Sequence, residues 1–397
     1  MNRELINDCV HCGFCLPTCP TYRLWGQEMD SPRGRIHLME ARLDGTVALN
    51  RTVVEHFDRC LGCMACVSSC PSGVQYDRLI ELTRERVEED YVRPRADRAL
   101  RTAMFAVLPY RRRLRAALAL APLGRALPLP SKLRPLAALA PTWRSKEWPP
   151  AVVPARGEAV ARVGLLAGCV QSVVFGSVNA STARVLGAHG FEVVTPRAQG
   201  CCGALSVHAG RSEEGRRFVR ALDDAFAGVE TVVVNASGCG SHLKDAGSRF
   251  AVQDVTEALA DRVPTTTLHP LELTVAYQDS CHLRHAQQLP AAWRPVLERI
   301  PGLRVLEPAE QDICCGSAGI YNIVQPQAAR ELGDGKAARV LETGADAYAS
   351  ANPGCLIQIS AALRRVGRPL AAFHPVELLD ASLRGVRADA LLARARR

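Results

Sequence analysis

The chain has 397 residues, 48% of them apolar, with sixteen cysteines and a formal net charge of +9. That length implies about two to four domains with real cores, so the fold does not need cross-links in place of a core. No run reaches the roughly 18 apolar residues of a spanning helix; the nine from Ala116 to Gly124 end at Arg125.

The charge is local. From Arg98 to Lys146 there are eleven Lys or Arg and no Asp or Glu, so the rest of the chain is close to neutral. A basic patch of this kind, without nucleic-acid motifs or interleaved aromatics, reads as a docking surface, and no nucleic-acid partner is expected. The opening MNRELINDCV carries Glu4 and Asp8 and has no apolar core, so no export signal is expected. A reducing compartment follows, and the clustered cysteines then read as metal ligands in preference to disulfides.

Residues 1–90 form the first predicted domain. Cys9, Cys12, Cys15 and Cys19, with Pro20 following, spell C-x2-C-x2-C-x3-C-P. Cys60, Cys63, Cys66 and Cys70, with Pro71 following, repeat the run without a gap. This is the pattern of bacterial ferredoxins with two [4Fe–4S] clusters. Three thiolates at this spacing can wrap three corners of a cubane, while the fourth, before proline, points at the neighbouring cluster. Cys9, Cys12, Cys15 and Cys70 are therefore assigned to one cluster, and Cys60, Cys63, Cys66 and Cys19 to the other. Zinc is the competing ligand, since C-x2-C also serves it, but zinc has no use for two triplets each followed by Cys-Pro. Between the runs, Asp30-Ser31-Pro32-Arg33-Gly34-Arg35 predicts an N-capped helix with proline near its start. The spacing between the runs favours a helical form of the ferredoxin domain. Arg33 and Arg35 are read either as cations beside a cluster or as solvated helix-end charges.

Residues 91–158 make a basic linker, FAVLPYRRRLRAALALAPLGRALPLPSKLRPLAALAPTW at its centre. Arginines 111, 112, 113 and 115 open an apolar stretch that suits either a lipid headgroup layer or a partner subunit. Prolines 122, 128, 130, 135 and 141 are expected to break it into short pieces.

The remainder reads as a tandem duplication, 159–273 and 274–397. Cys169, Cys201-Cys202-Gly203 and Cys239 are matched by Cys281, Cys314-Cys315-Gly316 and Cys355, and a phrase at His269 (HPLEL) is matched at His374 (HPVEL). In the first copy, strands are predicted near Val163–Ala167, Phe191–Thr195 and Thr231–Asn235, with a helix from about Ser177 to His189. Short apolar runs alternating with helices imply parallel α/β packing, with the cysteine loops directly after the strands. Adjacent cysteines form a disulfide poorly, so both pairs read as ligands or redox thiols. Each four-cysteine set is a candidate metal site, for a further iron–sulfur centre or for zinc. His242 and Gln358 stand three positions after the last cysteine of each copy. His282 and His285 follow Cys281 and are candidate redox or proton-handling residues, while His269 and His374, each before a proline at a predicted helix start, are expected to serve as caps or packing residues. The fold class is α+β overall, a helical two-cluster ferredoxin domain followed by two α/β cysteine-rich repeats.

The paired-cysteine repeat resembles the CCG domain that heterodisulfide reductases carry twice in one of their chains. In that family the repeat ends C-x-x-C; here the second cysteine is replaced by His242 and Gln358. The whole order, through CVHCGFCLPTCPTY, DSPRGRIHLMEA, CLGCMACVSSCPSGV, QGCCGALSVHAG, NASGCG, DSCHLRHAQ, ICCGSAGIYN and NPGC, resembles the glycolate oxidase iron–sulfur subunit family. The resemblance implies an electron-transfer subunit without hydride chemistry of its own. FAD-containing partner subunits would oxidise glycolate to glyoxylate, and the electrons would pass to a membrane acceptor such as quinone at the inner face of the cell membrane. The absence of GxGxxG after a strand agrees with flavin chemistry in a partner. Related subunits serving D-lactate or glycerol 3-phosphate, and a heterodisulfide-type thiol reductase, are the alternatives.

Overall fold

A computed structural model describes residues 3–126, 147–260 and 262–395. Prolines 128, 130, 135 and 141 and the last basic residues of the linker lie outside them.

The first part of the chain is helical; among the described residues no strand precedes Val152. The predicted helix after Asp30 runs Pro32–Leu43, with the Ser31 hydroxyl accepting from the Gly34 N–H at 3.0 Å and Pro32 in its first turn. Asn50 caps Arg51–Asp58 in the same way through the Val53 N–H. These helices and Tyr76–Asp90 close on Ile36, Met39, Val54, Phe57, Leu79 and Ile80, and Cys60 and Cys66 belong to the same core. The thiols are thus fixed by packed apolar side chains as well as by their loops.

Two linker helices follow, Arg95–Val107 and Arg111–Ala126. The break expected at Pro122 does not occur, for the helix continues to Ala126. A proline inside a helix removes one backbone N–H bond, and here the helix carries on past it. Leu114 is buried, whereas Arg112, Arg113 and Arg115 face solvent and Leu120 is 63% exposed.

The duplication is visible in topology. Strands β1 (Val152–Val153), β2 (Ala161–Leu166), β3 (Phe191–Val194), β4 (Thr231–Val234) and β5 (Ala251–Asp254) form one sheet in the order β1-β3-β2-β4-β5. Strands β6 (Leu273–Tyr277), β7 (Leu303–Leu306), β8 (Ala347–Ala349) and β9 (Ala371–Phe373) form the second, in the order β7-β6-β8-β9. Apart from the antiparallel edge strand β1, every pairing is parallel, and β3-β2-β4-β5 matches β7-β6-β8-β9 strand for strand. Central strands such as β4 and β8 are continuous apolar runs because helices cover both faces.

The fourth strand of each repeat corrects the sequence reading of the HP phrases. His374 does cap a helix, Pro375–Leu383, accepting from the Val376 N–H while Glu377 accepts from the His374 N–H. His269 starts none: it lies in extended chain just before β6 and is tied to Ser382 across the repeats. The true counterpart of His374 is Asp254, which ends β5 and caps Val255–Leu259 with Glu257 in a capping box. Four letters in common had masked a different phase of the repeat.

The repeats pack through Gly176–Ala188 and Pro375–Leu383, where Arg184 pairs with Asp380 at 2.6 Å and Ser181 donates to the same carboxylate. Trp293 is fully buried between them, edge-on to His374.

Burial pushes the Asp254 carboxyl up to about 6, against the Thr256 N–H and hydroxyl that favour its charge. A carboxyl raised on folding contributes its full stability below its unfolded value and loses it as pH rises through the folded one. Asp254→Asn keeps the cap and is expected to stabilise by up to about 3 kcal/mol near neutral pH, the gain vanishing towards pH ~4. Thermal melts across that window check it; a pH-independent difference would show that Asp254 is not the titrating group.

Candidate metal centres

The two ferredoxin runs fold into matching loops. His11 and Gly62, each two residues after the first cysteine of its run, have φ of 53° and 62°; Gly13 and Met64, two further on, have 87° and 62°. Left-handed backbone at two equivalent positions per run turns the chain round a central point, and non-glycine residues accept it at His11 and Met64. Around the first loop, Cys9, Cys12, Cys15, Cys66 and Cys70 line a cavity of ≈ 420 Å³. Around the second, Cys19, Cys60, Cys63 and Cys66 line one of ≈ 310 Å³. Each cavity therefore takes the last cysteine of the other run. Cys12 is exposed, as are Val10 and Phe14 beside it at 67% and 65%, while Cys19, Cys60, Cys63 and Cys66 are buried.

The second cavity has a worked electrostatic surround. Burial alone would push the Cys60 thiol up, but Arg35 and Arg84, with the Gly62 N–H and the Tyr76 hydroxyl, bring it below its usual value. The hydroxyl and the N–H reach the Cys60 sulfur at 3.6 and 3.4 Å. Cys19 lies 3.3 Å from the Thr21 hydroxyl, which donates to the Asp30 carbonyl at 2.7 Å. Arg35, 1% exposed, donates to Thr21 Oγ1 and to the His56 carbonyl, and its guanidinium lies 3.6 Å from the Asp30 carboxylate. Of the two readings for this arginine pair, a cation beside the thiols holds for both, Arg35 buried at the second cavity and Arg33 half-buried at the first. Arg33 lies at the first cavity, held by Glu28 and the His11 carbonyl.

In the repeats, the cysteines stand at the carboxyl ends of the first three strands of each copy, where the strand order reverses. Cys169 and Cys201 sulfurs are 3.4 Å apart, with Cys202 beside Cys239. In the second copy Cys315 and Cys355 are 3.4 Å apart, with Cys314 beside Cys281. The glycine of each pair is required by crowding: Gly203 (φ +95°) and Gly316 (φ +85°) pass so close to the next helix that a Cβ would come within 2.9 Å of the Gly215 oxygen and 2.8 Å of the Ala329 oxygen. All sixteen cysteines are unpaired thiols. Burial pushes Cys63 and Cys66 up; at Cys169 the hydrogen bond with Cys201 comes first and burial second.

This donor set fits iron–sulfur clusters. In the repeats sulfur is packed against sulfur and mostly out of water, where the raised thiols stay protonated and neutral until a metal takes the place of their protons. Among the described residues no group of three or more His, Cys, Asp or Glu side chains is set to hold a single ion.

The second cavity and the second repeat adjoin. Cys63 faces Cys314, and Leu61, Cys63 and Ala65 pack with Ile313, Cys314 and Tyr321. His285 clamps this junction, its two ring nitrogens taken by the Ser68 hydroxyl at 2.7 Å and the Asp312 carbonyl at 3.0 Å, so it is a docking residue. Gln358 donates to the Ala329 carbonyl and does not join the cysteines. His242 sits at the Cys202 carbonyl, pushed down to about 4 chiefly by burial. Glu81, Arg84 and His208 escaped the sequence reading, although His208 lies within the phrase QGCCGALSVHAG.

Residues 5–74 match the 4Fe-4S dicluster domain, and 163–244 and 275–360 each match the cysteine-rich CCG domain. The probable glycolate oxidase iron-sulfur subunit of Bacillus subtilis is 35% identical over 95% of this chain and 93% of its own length. The glycolate oxidase iron-sulfur subunit of Escherichia coli is 35% identical over 96% and 95%. The chain belongs to the glycolate oxidase iron–sulfur subunit family. Its two thiol-lined cavities are the family's dicluster region, and the paired-cysteine sites are its CCG domains. A hypothetical protein from Helicobacter pylori shares the fold, with a TM-score of 0.50 at 10% identity, covering 88% of this chain and 68% of that one. No described helix is long and apolar enough to cross a membrane.

Proposed function

We propose that this chain is the electron-transfer subunit of a glycolate-oxidising complex. It takes electrons from a flavin-bearing partner subunit that converts glycolate to glyoxylate and passes them to a membrane acceptor such as quinone, at the cytoplasmic face of the membrane. Cys9, Cys12, Cys15 and Cys70 would hold one [4Fe–4S] cluster and Cys60, Cys63, Cys66 and Cys19 the other. Cys169, Cys201, Cys202 and Cys239, and Cys281, Cys314, Cys315 and Cys355, would hold further centres. Bound there, such clusters supply one-electron storage without moving atoms.

The observation that carries this reading is the graded burial of three adjoining thiol groups. The first is open at Cys12, the second is enclosed, and the third adjoins it through Cys63 and Cys314. Val10 and Phe14 give the open end an apolar rim, suited to a partner that must approach closely. Arg35 and Tyr76 hold the enclosed group in a fixed field, so little reorganises when its charge changes.

The test is anaerobic purification with the flavin subunits, with iron, sulfide and zinc measured together. About eight irons per chain would account for the dicluster region alone, and about twelve or sixteen would add centres in the repeats; zinc in place of iron there would assign the repeats a structural ion. Glycolate is expected to bleach the visible absorption of the clusters. Bleaching by D-lactate but not glycolate would move the complex to the other hydroxy acid, and protein without iron or sulfide would overturn the reading.

A further inference from the structure

The two repeats are built alike but charged differently, and the difference centres on Lys336. Their register is fixed by the close passes described above: Gly203 meets the Gly215 oxygen early in the helix Ser212–Ala225, and Gly316 meets the Ala329 oxygen early in Pro326–Glu342. Seven residues on from each contact, two turns along the same helix face, stand Leu222 in the first repeat and Lys336 in the second. Leu222 is fully buried in an apolar cluster that includes Cys202. Lys336 is nearly as enclosed, at 3% exposure, yet it carries an amine.

A buried ammonium is costly unless an anion faces it. Among the described residues no carboxylate is paired with Lys336, and its one hydrogen bond goes to the Glu310 carbonyl. The Glu310 carboxylate is taken by Arg23 and Arg339, and the nearby Asp312 is only half-buried. The negative charges that act on Lys336 most strongly are those of Cys315 and Cys314 once these thiols give up their protons. Metal-bound thiolates would thus supply the anion that this cation lacks.

A second difference points the same way. Asn352 and Ala236 stand just before the helices that carry the last cysteine of each copy. The Asn352 amide caps no backbone N–H and donates instead to the Cys355 sulfur at 3.6 Å, whereas the Ala236 side chain has no donor to offer Cys239. The first set does have Arg111 within electrostatic reach of Cys169. That guanidinium is half-buried, stacked on Trp148 and bound to the Arg197 carbonyl, so solvent screens it.

We propose that Lys336, with Asn352, is the counter-charge for an anionic centre on Cys281, Cys314, Cys315 and Cys355, and makes the second repeat, not the first, the resting place of the electron. The inference rests on the metal centres proposed for the repeats. A cation and an N–H donor at the sulfurs both favour added negative charge and so raise a reduction potential. The contact of Cys63 with Cys314 then feeds the repeat that is the easier to reduce. The transfer involves one electron, lost at the enclosed dicluster site and gained at the second repeat, with no bond or proton changing place.

A redox titration of the anaerobic full chain, followed by paramagnetic resonance, tests this without turnover. The signal of the second repeat is identified by its loss in Cys355→Ser, in protein that keeps its dicluster iron. Lys336→Gln keeps a donor for the Glu310 carbonyl and drops the charge. It should lower the second-repeat potential by about 59 mV, a tenfold change in the equilibrium that shares the electron, with the dicluster signals unmoved. Lys336→Arg should restore most of the parent value, and Asn352→Ala should shift it downward by less. Iron and sulfide content report whether each variant is loaded. A potential unmoved in Lys336→Gln, an equal fall in Lys336→Arg, or a first-repeat signal that reduces before the second overturns the counter-charge alone. A parent protein with zinc or no metal on the second set overturns the iron–sulfur reading of that repeat and the counter-charge with it.

Discussion

Cys19→Ser is expected to remove the cluster assigned to the second cysteine run while sparing the one assigned to its own run. Cys19 lies in the first run by sequence, yet its sulfur lines the cavity of Cys60, Cys63 and Cys66 and is 6% exposed. Cys70 lies in the second run and lines the cavity of Cys9, Cys12 and Cys15. The variant should therefore lose about half of the iron held by the dicluster region. The cluster that survives should be the one near solvent at Cys12, quickly bleached by chelators. Loss of one outer-shell partner commonly costs 10–100-fold, so loss of a ligand between the open and the enclosed sites should slow glycolate-driven reduction of a terminal acceptor by at least about a hundredfold. Cys70→Ser should give the mirror image, with the buried cluster retained and electron entry lost. Survival of the buried cluster in Cys19→Ser would refute the exchange of fourth ligands.

The chemistry was legible where the sequence repeats itself at fixed spacing. Two runs of four cysteines, each closed by proline, and two Cys-Cys-Gly pairs are patterns that few structures other than ligand loops require. The alternation of strand and helix around Cys169, Cys201 and Cys239 was likewise readable, because parallel strands covered on both faces leave uninterrupted apolar runs. What failed was phase and partnership. HPLEL at His269 and HPVEL at His374 share letters but not position, and only pairing of β5 and β9 with their sheets reveals Asp254 as the counterpart of His374. Nor could local pattern place Glu81 against His208, 127 residues on, or Cys63 against Cys314, since these contacts exist only once the helical region docks on the repeats. Arg35 shows the limit most clearly. A charged residue in the first turns of a helix is ordinarily solvated, and nothing in PRGRIH says which of two arginines turns inward.

Arg35→Leu is expected to be the most damaging single change outside the cysteines. Burial opposes its charge, yet Cys60, Tyr76, Cys19 and Asp30 around it more than compensate, so the guanidinium is held firmly protonated. Removing it leaves the Asp30 carboxylate, fully buried, with Arg59 as its remaining cation and His56 Nδ1 as a hydrogen-bond partner, both at 2.9 Å. It also strips the donors from Thr21 Oγ1 and the His56 carbonyl, and Thr21 is the hydroxyl that touches the Cys19 sulfur. Breaking a buried pair at one partner typically costs about 3–5 kcal/mol, against about 0–1 kcal/mol for a surface pair such as Arg86–Glu89. The electrostatic consequence has a definite sign. A reduced cluster is more negative than an oxidised one, so losing a cation beside Cys60 disfavours reduction and moves the potential of that cluster downward. Arg35→Lys separates the two effects: it keeps the charge but not the fork to Thr21 and His56, and should restore most of the potential while recovering only part of the stability. Thermal melting and a redox titration followed by paramagnetic resonance read the two quantities independently. A potential unchanged in Arg35→Leu, in protein that retains its full iron, would place the field at the enclosed cluster elsewhere, with Arg84 and the Tyr76 hydroxyl.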